Sequence, residues 1–335
     1  MSPKIPLLRL PLLPFEKILD SLNLGGLIEL SLLSEKLYDR IHRSRGVRRN
    51  DVEINVRVTE CSEEVHLKSD SRGTFCVSSW RMDREIDCLE ARHTYVNDDE
   101  EERVDWDRKN RKNDFLFWCQ YLKKFFHKTN IPDFVFWPQG PSDIDKFFKK
   151  TDLLRNAKRI SIRGEFAMSQ EDTEFLLDNL SADQLTLVVA PKNAEGSRFQ
   201  YDKKIRFSQL AMHDLSWLSE EQLLDLLTTT RRIEVNDSPI LTETFLNKLL
   251  MQWFNSSNVT LQEVTIWSNP YTDPSEIPVF DTMKVLEGIT GRVIGEEESL
   301  AMGITIPRDK DTTMTIQVTK TWNKLGCQCY FRDWR

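Results

Sequence analysis

Apolar residues crowd the start of the chain and then settle into two different rhythms. Between positions 5 and 33, sixteen of 29 residues are Leu, Ile or Phe. Phe15, Ile18, Leu19 and Leu22 follow the i, i+3, i+4, i+7 spacing of one helix face. Pro14 suits the first turn of that helix, and Gly25-Gly26 is expected to break it. Leu27, Leu30, Leu33, Leu37 and Ile41 continue the helical rhythm, and Ser34 followed by Glu35 predicts the cap of a third short helix. Leu7, Leu8, Leu10, Leu12 and Leu13 fall outside any single helical face. Two or three short helices cannot bury so many large side chains among themselves, because segments of about 40 residues usually need help to fold. The surplus must meet the rest of the chain, a membrane or another protein. Glu16, Asp20 and Glu29 weaken the membrane option, since a helix lying on lipid wants a basic polar face.

After residue 50 the period changes to two. Val52, Ile54, Val56 and Val58 alternate with polar residues, and Val65/Leu67 and Phe75/Val77 repeat the alternation, which predicts short strands of a half-buried sheet. Residues 97–113 hold seven acids and five bases and read as a solvated loop. Phe115, Leu116, Trp118, Cys119, Leu122, Phe125 and Phe126 predict an amphipathic helix whose aromatic stripe is core. A repeat follows. The phrase apolar-x-x-apolar-x-apolar recurs at Ile131/Phe134/Phe136, Ala157/Ile160/Ile162, Ala182/Leu185/Leu187, Phe207/Leu210/Met212 and Leu261/Val264/Ile266, with a weaker copy at Ile233/Val235. Most intervals hold a helical stretch: 169–180, 219–229 with a Ser219…Gln222 capping box, and 242–254 with Phe245, Leu246, Leu249, Leu250 and Trp253 on one face. The interval 191–204 reads as a loop.

Composition narrows the chemistry. With 12 Gly in 335 residues there is no GxxxxGK[ST], GxGxxG or GxSxG segment, and no HExxH. A net charge of −7, from 46 basic and 53 acidic residues, argues against a general nucleic-acid binder. The basic run Lys36, Arg40, Arg43, Arg45, Arg48 and Arg49 reads as cations at a helix C-terminus. The six cysteines show no CxxC spacing, and the five histidines are scattered, so no metal site and no cofactor is expected. A cysteine nucleophile served by a distant histidine is the catalytic arrangement that the spacing leaves open. The N-terminus makes a poor signal peptide and no run of 18 apolar residues exists, so the chain is read as intracellular, with reduced thiols and no membrane partner.

The order of residues adds a family resemblance. The run Ile5-Pro-Leu-Leu-Arg-Leu-Pro11, then Pro14-Phe-Glu-Lys-Ile-Leu19, Leu22, Leu27-Ile-Glu-Leu-Ser31 and Leu33-Ser-Glu-Lys36 resembles an F-box, in the nematode version. Gly26 departs from it, standing where the family usually has an acidic residue. The stretch Ser216-Trp-Leu, Ile233-x-Val235, Leu241-Thr-x-x-Phe-Leu-Asn247 and Trp253-x-x-x-Ser257-Asn258-x-x-Leu261-x-x-x-x-Ile266 is similar to the type-2 F-box-associated domain. Gly303–Ile306 and Thr313–Ile316 resemble that domain's last hairpin, whereas 325–334 departs from its usual end, so an altered or frayed final strand is expected. The repeat itself has the strand-then-helix period of leucine-rich repeats, with an ordinary α/β sheet as the alternative.

The expected fold is therefore α+β. A three-helix F-box at 5–44 is followed by a β-rich connecting segment at 45–113, which includes the charged loop 97–113. An F-box-associated domain occupies 114–335, repeat-like over 131–270, with a hairpin at 300–320. The resemblance implies a substrate-recognition subunit of an SCF-type ubiquitin ligase, not itself an enzyme. The F-box would bind a Skp-family adaptor, and through it a cullin, by Leu7, Leu8, Leu10, Pro11, Phe15, Ile18, Leu19, Leu27, Ile28 and Leu33. The C-terminal domain would bind a target protein through residues on the open side of the repeat strands: Arg163, His213, Glu234, Asn236 and Trp267, with Trp267 set beside Arg163. The alternatives are a leucine-rich-repeat-like interaction scaffold outside any ligase and an enzyme with a cysteine or acidic pair.

Overall fold

The structure is a computed structural model and describes residues 7–44, 52–82, 85–94, 101–105, 115–128, 131–164, 168–188, 201, 203–213, 218–238, 242–255, 260–268, 281–289, 304–307, 312–320 and 325–333. The fold is mixed α/β, and the chain divides into two compact units, Met1–Pro138 with Thr151–Arg159, and Gln139–Lys150 with Ile160–Arg335. The N-terminal helices, the β-rich segment and the helix near 115–125 belong to one unit, because that helix turns its aromatic stripe onto the strands before it.

In the first unit a 3-10 turn, Leu7–Arg9, leads into helices α1 (Leu12–Asp20), α2 (Leu24–Leu32) and α3 (Glu35–His42). Gly25 and Gly26 do not break α1; they lie in the first turn of α2. The break comes at Ser21–Asn23, where the Asn23 side chain accepts from the Gly26 amide at 2.7 Å. A good cap at a helix start outweighs the low propensity of glycines beside it. Ser34 caps α3 by accepting from the Leu37 amide at 3.2 Å, as its position before Glu35 predicts.

Strands β1 (Val52–Val58), β2 (Ser62–Ser69), β3 (Gly73–Met82), β4 (Glu85–Thr94) and β5 (Glu101–Asp105) form an antiparallel meander. Helix α4 (Phe115–Phe125) follows, and β6 (Asp133–Phe136) pairs parallel with β1. The alternating Val52, Ile54, Val56, Val58, Val65, Leu67, Phe75 and Val77 are all buried, and α4 buries Phe115, Trp118, Cys119, Leu122 and Phe125. Strand β5 corrects the reading of 97–113 as a loop at residues 101–105; the rest of that stretch lies outside the described residues. Strand β5 is the last strand in the order of this unit's sheet, and an edge strand needs only backbone pairing, which a charged sequence permits.

In the second unit a short helix α5 (Pro141–Ile144) runs into a π-helical turn, Asp145–Lys149. Strand β7 (Arg159–Ile162), helix α6 (Gln170–Asn179) and strands β8 (Gln184–Leu187) and β9 (Gln209–His213) come next. They are followed by α7 (Glu220–Thr229), β10 (Arg232–Ser238), α8 (Glu243–Asn255), β11 (Glu263–Ser268) and α9 (Thr282–Val285). Strands β12 (Ile304–Pro307), β13 (Thr312–Lys320) and β14 (Leu325–Asp333) close the unit. Strands β8 to β11 pair parallel in chain order, with Leu185, Leu210, Ile233 and Val264 in register. Every apolar position of the repeat phrase is buried. Parallel neighbours in chain order need a crossover each, and right-handed crossovers bring the helices to one face of the sheet. The Ser219–Gln222 capping box at the start of α7 is formed. Ile304 pairs with Ile316 in the hairpin of β12 and β13. Strand β14 is not frayed: it pairs antiparallel with β13 on one side and β11 on the other. Two backbone neighbours hold it whatever its apolar alternation. The loop expected at 191–204 falls mostly outside the described residues.

Candidate functional site

The N-terminal helices are held in place by two arginines. Arg40 of α3 donates to the carbonyl oxygen of Leu7 at 3.0 Å, and also to those of Leu8 and Leu10. Its guanidinium lies 4.2 Å from the centre of the Phe15 ring. One cation thus ties together three carbonyls at the start of the chain's helices, and covers an aromatic face as well. A cation beside its own helix end, the expected role, is the lesser part of what Arg40 does. Arg45, Arg48 and Arg49 lie outside the described residues. Arg72, in the turn between β2 and β3, donates to Leu19 O at 2.7 Å and Leu22 O at 3.0 Å, and pairs with Asp20 Oδ1 at 3.3 Å. These carbonyls lie where α1 ends; Leu19 O also accepts from the Leu22 amide at 3.2 Å. The Leu24 amide donates back to Arg72 O.

Helix α4 supplies a third tie. Ser31 of α2 and Tyr121 share a short hydroxyl contact, and Ser31 Oγ also donates to Ile28 O. Burial pushes the Tyr121 phenol up to about 12, against the opposing pull of its bond to Ser31. His42 Nε2 and Lys124 O are 3.1 Å apart, His127 Nε2 and His42 O 2.9 Å, and the two imidazole rings stack at 3.9 Å.

This framework sorts the residues expected at the adaptor surface. Phe15, Leu19, Leu27 and Ile28 are at most 1% exposed and form the inside of the helical unit. They shape the surface without being part of it, because i, i+3, i+4, i+7 spacing selects the face that turns inward. Leu7, Leu10 and Ile18 are half-buried, whereas Leu8, Pro11 and Leu33 are exposed. The surface also includes Leu12, Leu13 and Leu32. Leu12 and Leu13 carried a signal, lying off the helical face, while Leu32 carried none. Five of the seven large hydrophobic residues exposed among the described residues fall between Leu8 and Leu33: Leu8 at 45%, Leu12 at 59%, Leu13 at 72%, Leu32 at 40% and Leu33 at 72%.

The expected target-binding residues stand on the other face of the second unit's strands from the buried repeat positions. Arg163 and Glu234 are exposed, and His213, Asn236 and Trp267 are half-buried. Asn236 stands opposite His213 across β10 and β9, and its side-chain amide donates to Glu234 Oε1 at 3.3 Å. Arg163 donates to Ser161 Oγ at 2.8 Å. Trp267 is not beside Arg163. Strands β8, β9 and β10 lie between β7 and β11, a separation of about 19 Å at the usual strand spacing. Thr265, which alternation along β11 sets on the same face as Trp267, is buried. The face therefore offers one close polar group, Glu234, Asn236 and His213, and two outlying residues.

A cavity of about 210 Å³ near the start of α7 is lined by Tyr201, Lys203, Lys204, Leu218 and Gln222 among others. It is smaller than the roughly 300–1,000 Å³ usual for small-molecule pockets. Lys203 and the Tyr201 hydroxyl both engage Asp178, holding its carboxyl below the usual carboxylate range, the lysine chiefly. Among the described residues no group of three or more His, Cys, Asp or Glu side chains is arranged to hold a metal ion, and no helix is long and apolar enough to cross a membrane. Comparison with family models, with curated proteins and with solved structures gave no match, so the functional reading stands on the residues themselves.

Proposed function

We propose that this chain is the substrate-recognition subunit of an SCF-type ubiquitin ligase: the N-terminal helices dock on a Skp-family adaptor, which brings a cullin, and the second unit holds a target protein. The reading rests on the F-box-like order of residues 5–42. The observation that carries it is the set of exposed leucines on these helices. A leucine turned from water into an interface contributes about 1.5–3 kcal/mol, and soluble surfaces seldom gather such residues without a partner. The helical unit is already closed inside around Phe15, Leu19, Leu27 and Ile28, which leaves the exposed set for another protein. The work is binding. Holding a target beside a ubiquitin-loaded enzyme raises the effective concentration of its lysines. Glu234, Asn236 and His213 are the residues proposed to meet the target.

The test is co-purification of the full chain with a Skp-family adaptor. The wild-type chain is expected to retain the adaptor. The triple variant Leu12→Ser, Leu13→Ser, Leu33→Ser is expected to lose it while its thermal unfolding stays unchanged. Anchors of this kind are worth about 2–4 kcal/mol each, roughly 30- to 1,000-fold in Kd. A folded wild-type chain that binds no adaptor of this family overturns the reading in favour of a scaffold outside any ligase.

A further inference from the structure

The sequence left open a thiol served by a distant histidine, and the antiparallel register of β2 and β3 brings such a pair together. His66 stands directly opposite Cys76. Cys76 Sγ lies 3.8 Å from His66 Nε2, and the same nitrogen lies 2.7 Å from Glu64 Oε2. Glu64 Oε1 in turn accepts from Ser62 Oγ at 2.9 Å. Strand alternation puts Glu64, His66 and Cys76 on the face opposite buried Val65, Leu67, Phe75 and Val77. The His66 side chain is 43% exposed, so the group is open to solvent. The hydrogen bond from His66 holds the Glu64 carboxyl below its usual range against the cost of burial, with Ser62 and Arg57 pulling the same way. Glu64 holds the ring in place, and a ring N–H within reach of sulfur favours the thiolate, the reactive form of cysteine, by hydrogen bonding to it.

We propose that Cys76 is a modification site, the thiol of a thiol–imidazole–carboxylate array that reacts with hydrogen peroxide to give a sulfenic acid. The thiolate sulfur attacks one peroxide oxygen. An S–O bond forms and the O–O bond breaks; sulfur is oxidised by two electrons and the peroxide is reduced. The thiol proton has passed to solvent, and the departing hydroxide takes one from solvent and leaves as water. Glu64 keeps its charge throughout and holds the ring in place.

The molecule contains its own controls. Cys61 is more exposed than Cys76, and its near neighbour is the Thr59 hydroxyl at 3.7 Å. Cys119 is fully buried in α4. Exposure alone makes Cys61 react first, and the array reverses that order. The experiment treats the full chain at pH 7 with limiting hydrogen peroxide and a sulfenic-acid trap, and in parallel with limiting iodoacetamide, and maps the labelled peptides by mass spectrometry. Cys76 is expected to label at least about fivefold faster than Cys61, a gain in thiolate fraction partly offset by lower intrinsic nucleophilicity. His66→Gln removes the ring and is expected to bring the ratio to one or below. Cys119 stays unlabelled while the unit is folded; if it labels in the variant, the wild-type ratio alone decides. Faster labelling of Cys61 in the wild-type chain, or an unchanged ratio in a folded His66→Gln, overturns the proposal.

Discussion

The N-terminal helices and the repeat strands of the second unit both carry dense apolar sequence, yet they dispose of it differently. In the repeat, every apolar position of the phrase is closed from solvent, and most residues between them are polar or small. In the helices, one set of large side chains is closed and a second set of leucines stands open. The strands have finished their packing within the chain, whereas the helices have apolar surface left over. The contrast separates two kinds of leucine that a sequence presents alike: those that hold a fold and those that the fold leaves open.

The sharpest way to break this contrast is to cut one residue of each kind. Phe15→Ala should cost about 3–5 kcal/mol of stability by denaturant unfolding, the price of a large cavity. Leu13→Ala should stay within about 0.5 kcal/mol and yet weaken adaptor retention. Equal destabilisation by both would mean that the open leucines are also structural. Next in size is Arg72→Ala, which removes the guanidinium donor from Leu22 O and leaves Leu19 O with the Leu22 amide alone. A loss of about 1–3 kcal/mol is expected, with hydrogen exchange rising first at the end of α1. In the second unit, Ser219→Ala removes one half of the α7 capping box and should cost about 1 kcal/mol, with adaptor retention untouched. A further effect is confined to alkaline pH. The Tyr121 phenol is raised from 10.0 to about 12 in the folded chain. Its contribution is whole below pH 10 and is lost as the pH climbs towards about 12. Tyr121→Phe should flatten that decline, and an unchanged slope would assign it to other groups.

Much of this was legible in the sequence, for reasons that differ by element. The alternation at Val52–Val58 and the recurrent phrase from Ile131 to Ile266 specify burial directly, since a period of two leaves one face to be covered. Ser34 and Ser219 announced their caps because capping is local. Gly25 and Gly26 misled because propensity was read without the Asn23 cap beside them. Strand β5 was missed because charge marks an exposed residue and not its backbone conformation. Phe15, Leu19, Leu27 and Ile28 were placed at a surface because a motif position does not say which way a side chain turns. Arg40, Arg72 and the pairing of His66 with Cys76 depend on approaches across ten to fifty-three residues, and no local pattern carries those.

Strand β14 has a consequence for the chain during its synthesis. It covers the edge of β11, yet it is made about sixty residues later, an interval of roughly 3–12 s at ordinary elongation rates. Through that interval the nascent parallel sheet ends in an unpaired edge, the template on which strands of neighbouring chains can add. A ribosome that pauses between these segments lengthens the exposure, so the yield of well-folded chains should depend on translation speed over this stretch.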